Sequence, residues 1–234
     1  MHRGMLVALA LVALAALAVL APPTARAQAQ GRAQAQAPAQ APARSGSFDL
    51  PALMALLARR GSGEARFSEE RFVSGFDAPL HASGTLSFTA PDRFARHTLE
   101  PRPESMEVAG NLLTLERGGR RRQMALDTMP ELAALLDALR GTLAGDGTLL
   151  ERDFDVRVGG TAALWTLTLT PRDAQLAGQV RSLQFAGQGA QLRTVELLLA
   201  GGDRSLMVIE PLPPAAPAPA GGSAAPAPRP RGQR

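Results

Sequence analysis

Side chains that perform acid–base or nucleophilic chemistry are scarce in this chain. It has no cysteine, which excludes thiolate nucleophiles, disulfides and cysteine-ligated zinc. Beyond the first residues the histidines are His81 and His97, and each alternates with apolar neighbours in a strand-like pattern. That pattern is typical of polar side chains on a solvated strand face, so neither histidine is a strong candidate for an acid or a base.

One pair of carboxylates has a spacing that chemistry could use. Asp153 and Asp155 are predicted to share one face of a strand, and paired carboxylates perform acid–base work in glycosidases. A solvated edge is the simpler interpretation, because Phe154 and Val156 already supply a buried face. No Gly-x-Ser-x-Gly elbow, phosphate-binding loop or His-Glu-x-x-His segment occurs. The sequence therefore predicts a protein that is not an enzyme and that uses no metal or cofactor.

The basic residues raise the question of an acidic partner. All 25 are arginine; seven lie outside residues 45–212, and the 18 that remain face 21 acids. This mildly acidic segment argues against a nucleic acid as ligand. The run Arg120-Arg121-Arg122 could meet a membrane surface or an acidic partner, or it could simply solvate the end of a strand.

The first residues have the pattern of an export signal. Arg3 precedes the apolar run Gly4–Ala21, and Ala25-Arg26-Ala27 is a small-x-small cleavage site. Residues 1–27 are therefore predicted to be a signal peptide, which would place the protein in the periplasm. A retained anchor is the alternative, but the Ala-rich run would be a weak membrane span. No cysteine follows the signal, so a lipid anchor is not expected.

Two further segments have the composition of spacers. Residues 28–44 consist almost wholly of Gln, Ala and Pro, and residues 213–234 repeat Pro and Ala. Neither can bury enough apolar surface to offset the entropy of ordering, so the tail is predicted to be disordered or polyproline-like. What the tail does is left open. Residues 45–212 remain, and they suit one domain with a substantial core.

Helical periodicity marks two segments of this domain. The first is expected to begin with Ser47 or Asp49 as its cap. The second covers Pro130–Arg140, with Thr128 as its cap and Gly141 as its end. The apolar stripes are Leu50, Leu53, Met54 and Leu57 in the first helix, and Leu132, Leu135, Leu136 and Leu139 in the second.

Most of the remaining chain alternates with a period of two, which is typical of half-buried strands. Leu80–Thr89 is the clearest case. Turn residues separate about ten such segments, which predicts an α+β fold built on one long antiparallel sheet. The segments are Glu64–Val73, Leu80–Thr89, Arg93–Leu99, Ser105–Val108, Asn111–Glu116, Arg120–Leu126, Thr148–Val158, Ala163–Thr170, Val180–Phe185, Leu192–Leu199 and Ser205–Glu210.

A sheet of this size poses a packing problem. Two short helices cannot cover the apolar face of about ten strands if the sheet is flat. The sheet should therefore curve around the helices and leave apolar wall beyond their reach. That wall is either an ordinary core or a binding cavity, and composition alone favours the core.

Several segments resemble the LolA family of periplasmic lipoprotein carriers. Ala65–Glu70 is similar to the family's first strand, and Gly84–Phe88 is similar to its second. Pro91–Arg96, followed by Pro101, resembles the pattern Pro-x-x-Phe-x-Trp-x4-Pro. Trp165–Arg172 resembles a strand that ends in a Leu-Thr-Pro-Lys type of turn. These short motifs occur in the family's order across most of the predicted domain.

The resemblance implies an open half-barrel whose concave apolar face is lidded by the two helices. It implies a monomeric carrier that takes acyl chains of a lipoprotein or another lipid from an inner-membrane transporter to an outer-membrane acceptor. A sensor or interaction module of the same fold, which binds a partner protein of an envelope transport system, is the alternative. The residues expected to line the cavity are Phe67, Leu86, Phe88, Phe94, Trp165, Leu167, Leu169, Leu183 and Phe185.

Two positions depart from the family pattern. Ala90 stands where family members have an arginine that latches the lid, so a latch is either absent or supplied elsewhere. Arg96 stands where they have a tryptophan, on the same strand face as Phe94. Arg96 either lies at the rim with its stem along the wall or contacts an anionic head group. These departures leave open whether the passenger is a lipoprotein or a free lipid.

Overall fold

Eleven strands form one antiparallel sheet in the computed structural model, which describes residues 48–213. The predicted signal peptide, the linker, Ser47 and nearly all of the tail lie outside the described residues. The strands are β1 (Ser62–Phe72), β2 (Leu80–Thr89), β3 (Arg93–Glu100), β4 (Glu104–Ala109), β5 (Leu112–Arg117), β6 (Arg120–Ala125), β7 (Phe154–Gly160), β8 (Trp165–Pro171), β9 (Val180–Gln188), β10 (Gln191–Leu199) and β11 (Arg204–Pro211).

The sheet consists of two meanders that meet at its centre. Its order is β6-β5-β4-β3-β2-β1-β11-β10-β9-β8-β7, so every strand pairs with its neighbour in sequence except at the central contact of β1 with β11. Strands β6 and β7 form the two edges and do not pair with each other, which leaves the sheet open. The predicted α+β fold with a curved, open antiparallel sheet is therefore confirmed.

Three helices contact one another and share the core with the sheet, and a short fourth helix connects two neighbouring strands. They are α1 (Leu50–Leu57), α2 (Pro130–Ala144), α3 (Gly147–Asp153) and the short α4 (Ala174–Ala177). The predicted stripes are correct: Leu53 and Leu57 of α1 join the same core as Leu132, Leu135 and Leu136 of α2. Burial of each such side chain contributes about 1.5–3 kcal/mol. No helix within residues 48–213 is long and apolar enough to cross a membrane.

The helix ends follow the sequence at α1 and differ from it at α2. Asp49 caps α1, because its Oδ1 accepts a hydrogen bond from the Ala52 N–H at 3.0 Å. Thr128 does not cap α2; its hydroxyl donates instead to the Ala125 carbonyl at 2.7 Å. Gly141 does not end α2 either, because it lies buried inside the helix, and Gly145 ends it with a left-handed φ of 72°.

The segment predicted as a strand from Thr148 to Val158 is helical over its first half. Asp146 accepts a hydrogen bond from the Thr148 N–H at 3.0 Å, and this cap starts α3. The strand begins only at Phe154, the first residue of β7. A short segment of this kind fits both the helical period and the strand period of two, and here the Asp146 cap favours the helix.

Trp165 fixes the packing at the β8 end of the sheet. Its side chain is buried, and its indole Nε1 donates to the Gly189 carbonyl at 2.8 Å. The indole occupies the space where a side chain at Gly187 would stand, since a Cβ there would approach the Trp165 Cζ2 to 2.2 Å and the Gln191 carbonyl oxygen to 2.4 Å. Only glycine allows this close approach of ring and backbone.

Replacing Gly187 with alanine should therefore displace the indole and lower the free energy of unfolding by about 2–3 kcal/mol. Trp165 is the chain's one tryptophan, so its fluorescence should move to longer wavelength as the ring becomes hydrated. Denaturant titration followed by this fluorescence measures both effects. Gly201→Ala is the matched control, because a Cβ at Gly201 meets nothing within 4 Å. Unchanged emission and stability in the Gly187 variant would contradict this packing.

Candidate ligand-binding cavity

An apolar cavity of about 140 Å³ lies between α2 and the inner face of the sheet. Leu135, Leu139 and Leu143 of α2 form its roof, and Leu57 closes the side next to α1. Its opposite wall consists of side chains from both meanders. These include Ala65, Leu86, Phe88, Phe94, Met106, Leu183, Phe185, Leu192, Val195, Leu197, Met207 and Ile209.

The structure brings together part of the set that the sequence assigned to the cavity. Leu86, Phe88, Phe94, Leu183 and Phe185 all line it. Neighbouring strands align them, because Phe88 pairs with Phe94 and Leu86 pairs with Ala65. Their contact with a ligand remains a proposal.

The other predicted residues are buried but do not line this cavity. Trp165, Leu167 and Leu169 lie on β8, one strand beyond the Leu183 and Phe185 wall, and form part of the solid core. Phe67 faces inward from β1, where the Arg96 guanidinium stacks on its ring at 4.4 Å from the centroid. Alternation identifies the face of each strand, but the contact with the helices decides which of these side chains border empty space.

Sequence reasoning also missed several wall residues. Met106 of β4, Val195 of β10 and Met207 of β11 all line the cavity. Their registers join them to predicted neighbours: Met106 pairs with Arg96, and Val195 pairs with Phe185. The period of two in these segments is the signal that could have identified them.

An ion pair forms the polar end of the cavity. Glu69 is only 2% exposed, and its carboxylate accepts from the Arg96 Nη2 at 2.6 Å and from the Ser205 hydroxyl at 2.6 Å. Arg96 also donates from Nε to the Thr98 hydroxyl at 3.3 Å. The charge of Arg96 is thus already met by the protein. Glu69 follows Ala65 and Phe67 at intervals of two, so the alternation itself places this acid on the inner face.

More charge lies beside this pair and away from the apolar wall. Arg71 is buried, and desolvation lowers the pKa of its guanidinium while the Glu69 charge opposes that shift. Burial likewise raises the pKa of the Glu104 carboxyl, opposed by Arg117, whose Nε lies 2.8 Å from the Glu104 Oε1. The inner face of the first meander is therefore apolar at one end and charged at the other.

A wider vestibule of about 930 Å³, lined by both polar and apolar side chains, continues the apolar end of the cavity outward. Arg60, Glu64 and Phe88 line both spaces, so the two are contiguous. Arg59, Thr89 and Gln191 line the vestibule alone. It follows that the mouth lies at the opposite end of the cavity from Glu69 and Arg96.

The candidate acid–base residues do not form a site. His81 is exposed, with its Nδ1 3.9 Å from the Glu70 carboxylate, and His97 is exposed as well. Asp153 ends α3 and pairs with Arg152, whereas Asp155 lies on β7 and pairs with Arg172 at 2.7 Å. They therefore do not share a strand face. Within residues 48–213, no group of three or more His, Asp or Glu side chains is placed to hold a metal.

Comparison with known proteins identifies one family. The profile described as "Outer membrane lipoprotein carrier protein LolA-like" matches residues 40–224. No curated protein sequence matches the chain.

Solved structures match the chain at low identity and with low TM-scores. A LolA superfamily protein from Nitrosomonas europaea is 10% identical, with a TM-score of 0.37 over 68% of this chain and 88% of that one. The MucA/MucB complex of Pseudomonas aeruginosa contains a chain that is 16% identical, with a TM-score of 0.33 over 72% of this chain and 58% of that one. Lipoprotein LppX of Mycobacterium tuberculosis is 12% identical, with a TM-score of 0.34 over 68% and 94%.

The ion pair at the polar end gives a testable prediction. Glu69→Gln should lower the free energy of unfolding by about 3 kcal/mol, because it leaves the largely buried Arg96 without its counter-charge. Arg96→Gln should cost a similar amount, and the double variant should lose much less than the sum. Chemical denaturation of the three variants measures this coupling.

The exposed pair Asp155–Arg172 provides the control for this cycle. Its side chains are 68% and 49% exposed, so Asp155→Asn should change stability by no more than about 1 kcal/mol. Strictly additive effects of the Glu69 and Arg96 substitutions would contradict a coupled pair.

Proposed function

Because the chain belongs to the LolA-like family of outer membrane lipoprotein carrier proteins, we propose that it shelters acyl chains of a lipoprotein or lipid between the inner and outer membranes. The observation that carries this proposal is the apolar cavity beneath α2. An acyl chain placed there leaves water, and each buried methylene contributes about 0.8 kcal/mol. Binding of this kind needs no covalent bond to be made or broken. The proposed carrier function therefore involves no enzymatic reaction and no cofactor.

The cavity's size sets a requirement on the helix above it. A volume of about 140 Å³ is close to that of an engineered apolar cavity that admits one benzene molecule, roughly 150 Å³. About six carbon atoms fit, so a full acyl chain requires α2 to move away from the sheet. A ligand would then act by favouring a conformation in which α2 stands further from the sheet.

The family and the predicted signal peptide support a compartment and a set of partners for the proposed carrier. The carrier would work as a monomer in the periplasm, accept its passenger from an inner-membrane transporter and deliver it to an outer-membrane acceptor. Direction would come from partners that hold the passenger less or more tightly than the carrier does. Native mass spectrometry of protein purified from the periplasm should reveal a co-purified acylated molecule.

Filling the cavity should abolish binding without unfolding the protein. Leu86→Trp adds an indole to the empty space beneath α2 and should weaken binding of the neutral fluorophore N-phenyl-1-naphthylamine at least tenfold. Leu99→Trp makes the same change on β3, where the side chain is 60% exposed, and should leave binding intact. Thermal unfolding shows whether both variants remain folded. Equal binding by the folded Leu86 variant, or no binding by the natural protein, would contradict the carrier proposal.

One feature of the sheet supports the alternative of a partner-binding module. Among the strands of the described residues, β6 pairs only with β5, so its outer edge presents backbone hydrogen-bonding groups. Arg120, Arg121 and Arg122 on this strand are all exposed, and a strand from an acidic partner protein would suit both the edge and the charge. Loss of an envelope partner from pull-downs of an Arg120→Glu, Arg121→Glu variant, with lipid binding unchanged, would favour this function.

A further inference from the structure

We propose that the vestibule binds the anionic head group of the passenger through Arg59 and Arg60, so that the ligand is an acyl chain with a phosphate or carboxylate at its end. This inference rests on the proposed carrier function and adds the chemistry of the passenger's head. It concerns the mouth of the cavity rather than Arg96.

The two arginines are placed at the mouth by the turn that follows α1. They end the 3-10 turn Ala58–Arg60, and Gly61 then takes a φ of 59° that reverses the chain. The Ala90 N–H donates to the Gly61 carbonyl at 2.8 Å, which ties this turn to the end of β2. Their backbone is therefore held at the opening.

Arg60 marks the boundary between the two spaces. Its side chain lines both the apolar cavity and the vestibule, and it lies across Gly63 so closely that a Cβ there would be 2.9 Å from the Arg60 Nε. An acyl chain in the cavity would thus have its polar end beside this guanidinium. Arg59 lines the vestibule just outside.

In the part of the chain that the structure describes, the positive charge at the mouth is only partly neutralised. Within residues 48–213, neither Arg59 nor Arg60 makes an ion pair or a side-chain hydrogen bond with another residue. Glu64 is the single acid among the residues that line the vestibule. Two guanidiniums against one carboxylate leave a net positive opening, which favours an anion.

The polar end of the cavity is a poorer site for the same anion. There the Glu69 carboxylate already lies 2.6 Å from the Arg96 Nη2, so an incoming anion would have to displace it or share the cation with it. Repulsion from a buried carboxylate is costly where water is scarce. The arrangement therefore favours a ligand whose chain enters first and whose head stays at the vestibule.

Two displacers with the same tail test this inference. Dodecyl phosphate and dodecanol compete for the cavity against N-phenyl-1-naphthylamine, and both are used below the concentration at which they aggregate. The natural protein should prefer dodecyl phosphate about tenfold, and added salt should weaken that preference. In the Arg59→Gln, Arg60→Gln variant the preference should fall towards one, because the affinity for dodecyl phosphate should drop much more than the affinity for dodecanol. Inorganic phosphate alone should not displace the fluorophore.

The control variant is Arg157→Gln, Arg181→Gln, which removes the same charge from two exposed positions on β7 and β9. It should keep the preference for dodecyl phosphate. A preference that survives loss of Arg59 and Arg60, or that falls equally in the control, would overturn the head-group site. If neither the fluorophore nor dodecanol binds the natural protein, the carrier function itself fails, which is a different outcome.

Discussion

The pairing of β1 with β11 is the interaction on which the rest of the molecule depends. It joins the first meander, β1–β6, to the second, β7–β11, and without it the two would be connected only through the helical segment between β6 and β7. The cavity spans this seam, with Ala65 and Glu69 on one side and Ser205, Met207 and Ile209 on the other. The hydrogen bond from Ser205 to Glu69 crosses the same seam, so the contact that joins the two halves of the sheet also forms part of the cavity wall.

Helix α2 packs tightly against the core with some of its leucines and incompletely with others. Leu132, Leu135 and Leu136 anchor it in the core, whereas Leu139 and Leu143 cover an unfilled space. In the proposed carrier, a helix that packed perfectly would exclude any passenger, and a helix without the anchoring leucines would not stay on the sheet. The incomplete packing under one side of the helix costs some stability. In a carrier, that cost lowers the energy needed to open.

The sequence identified most of the fold because its signals are local. Alternation in Leu80–Thr89 and the cap at Asp49 each follow from a few neighbouring residues. The errors arose where two local signals competed: Thr148–Asp153 suits either period, and Gly141 looked like a stop although α2 needs a small residue there, since a Cβ would lie 2.9 Å from the Asp146 carbonyl oxygen. Family membership was recognisable from the order of short motifs.

The candidate site was only partly predictable, because it depends on long-range geometry. Alternation placed Phe94 and Phe185 on the inner face, but the position of α2 decides that they border the cavity and Leu167 does not. The partner of Arg96 is Glu69, which lies 27 positions away. Nothing local to Arg96 indicates that pairing.

The first and last strands of the chain, β1 and β11, pair at the centre of the sheet, and this has a consequence for how the chain folds. Ser205 and Glu69 are 136 positions apart, and contacts between such distant residues form slowly. The sheet cannot be completed until residues 204–211 are available, so in a chain that emerges from its first residue onward one side of β1 stays unpaired until then. Folding of this kind concentrates the final, cooperative step at the moment when the last strand becomes available.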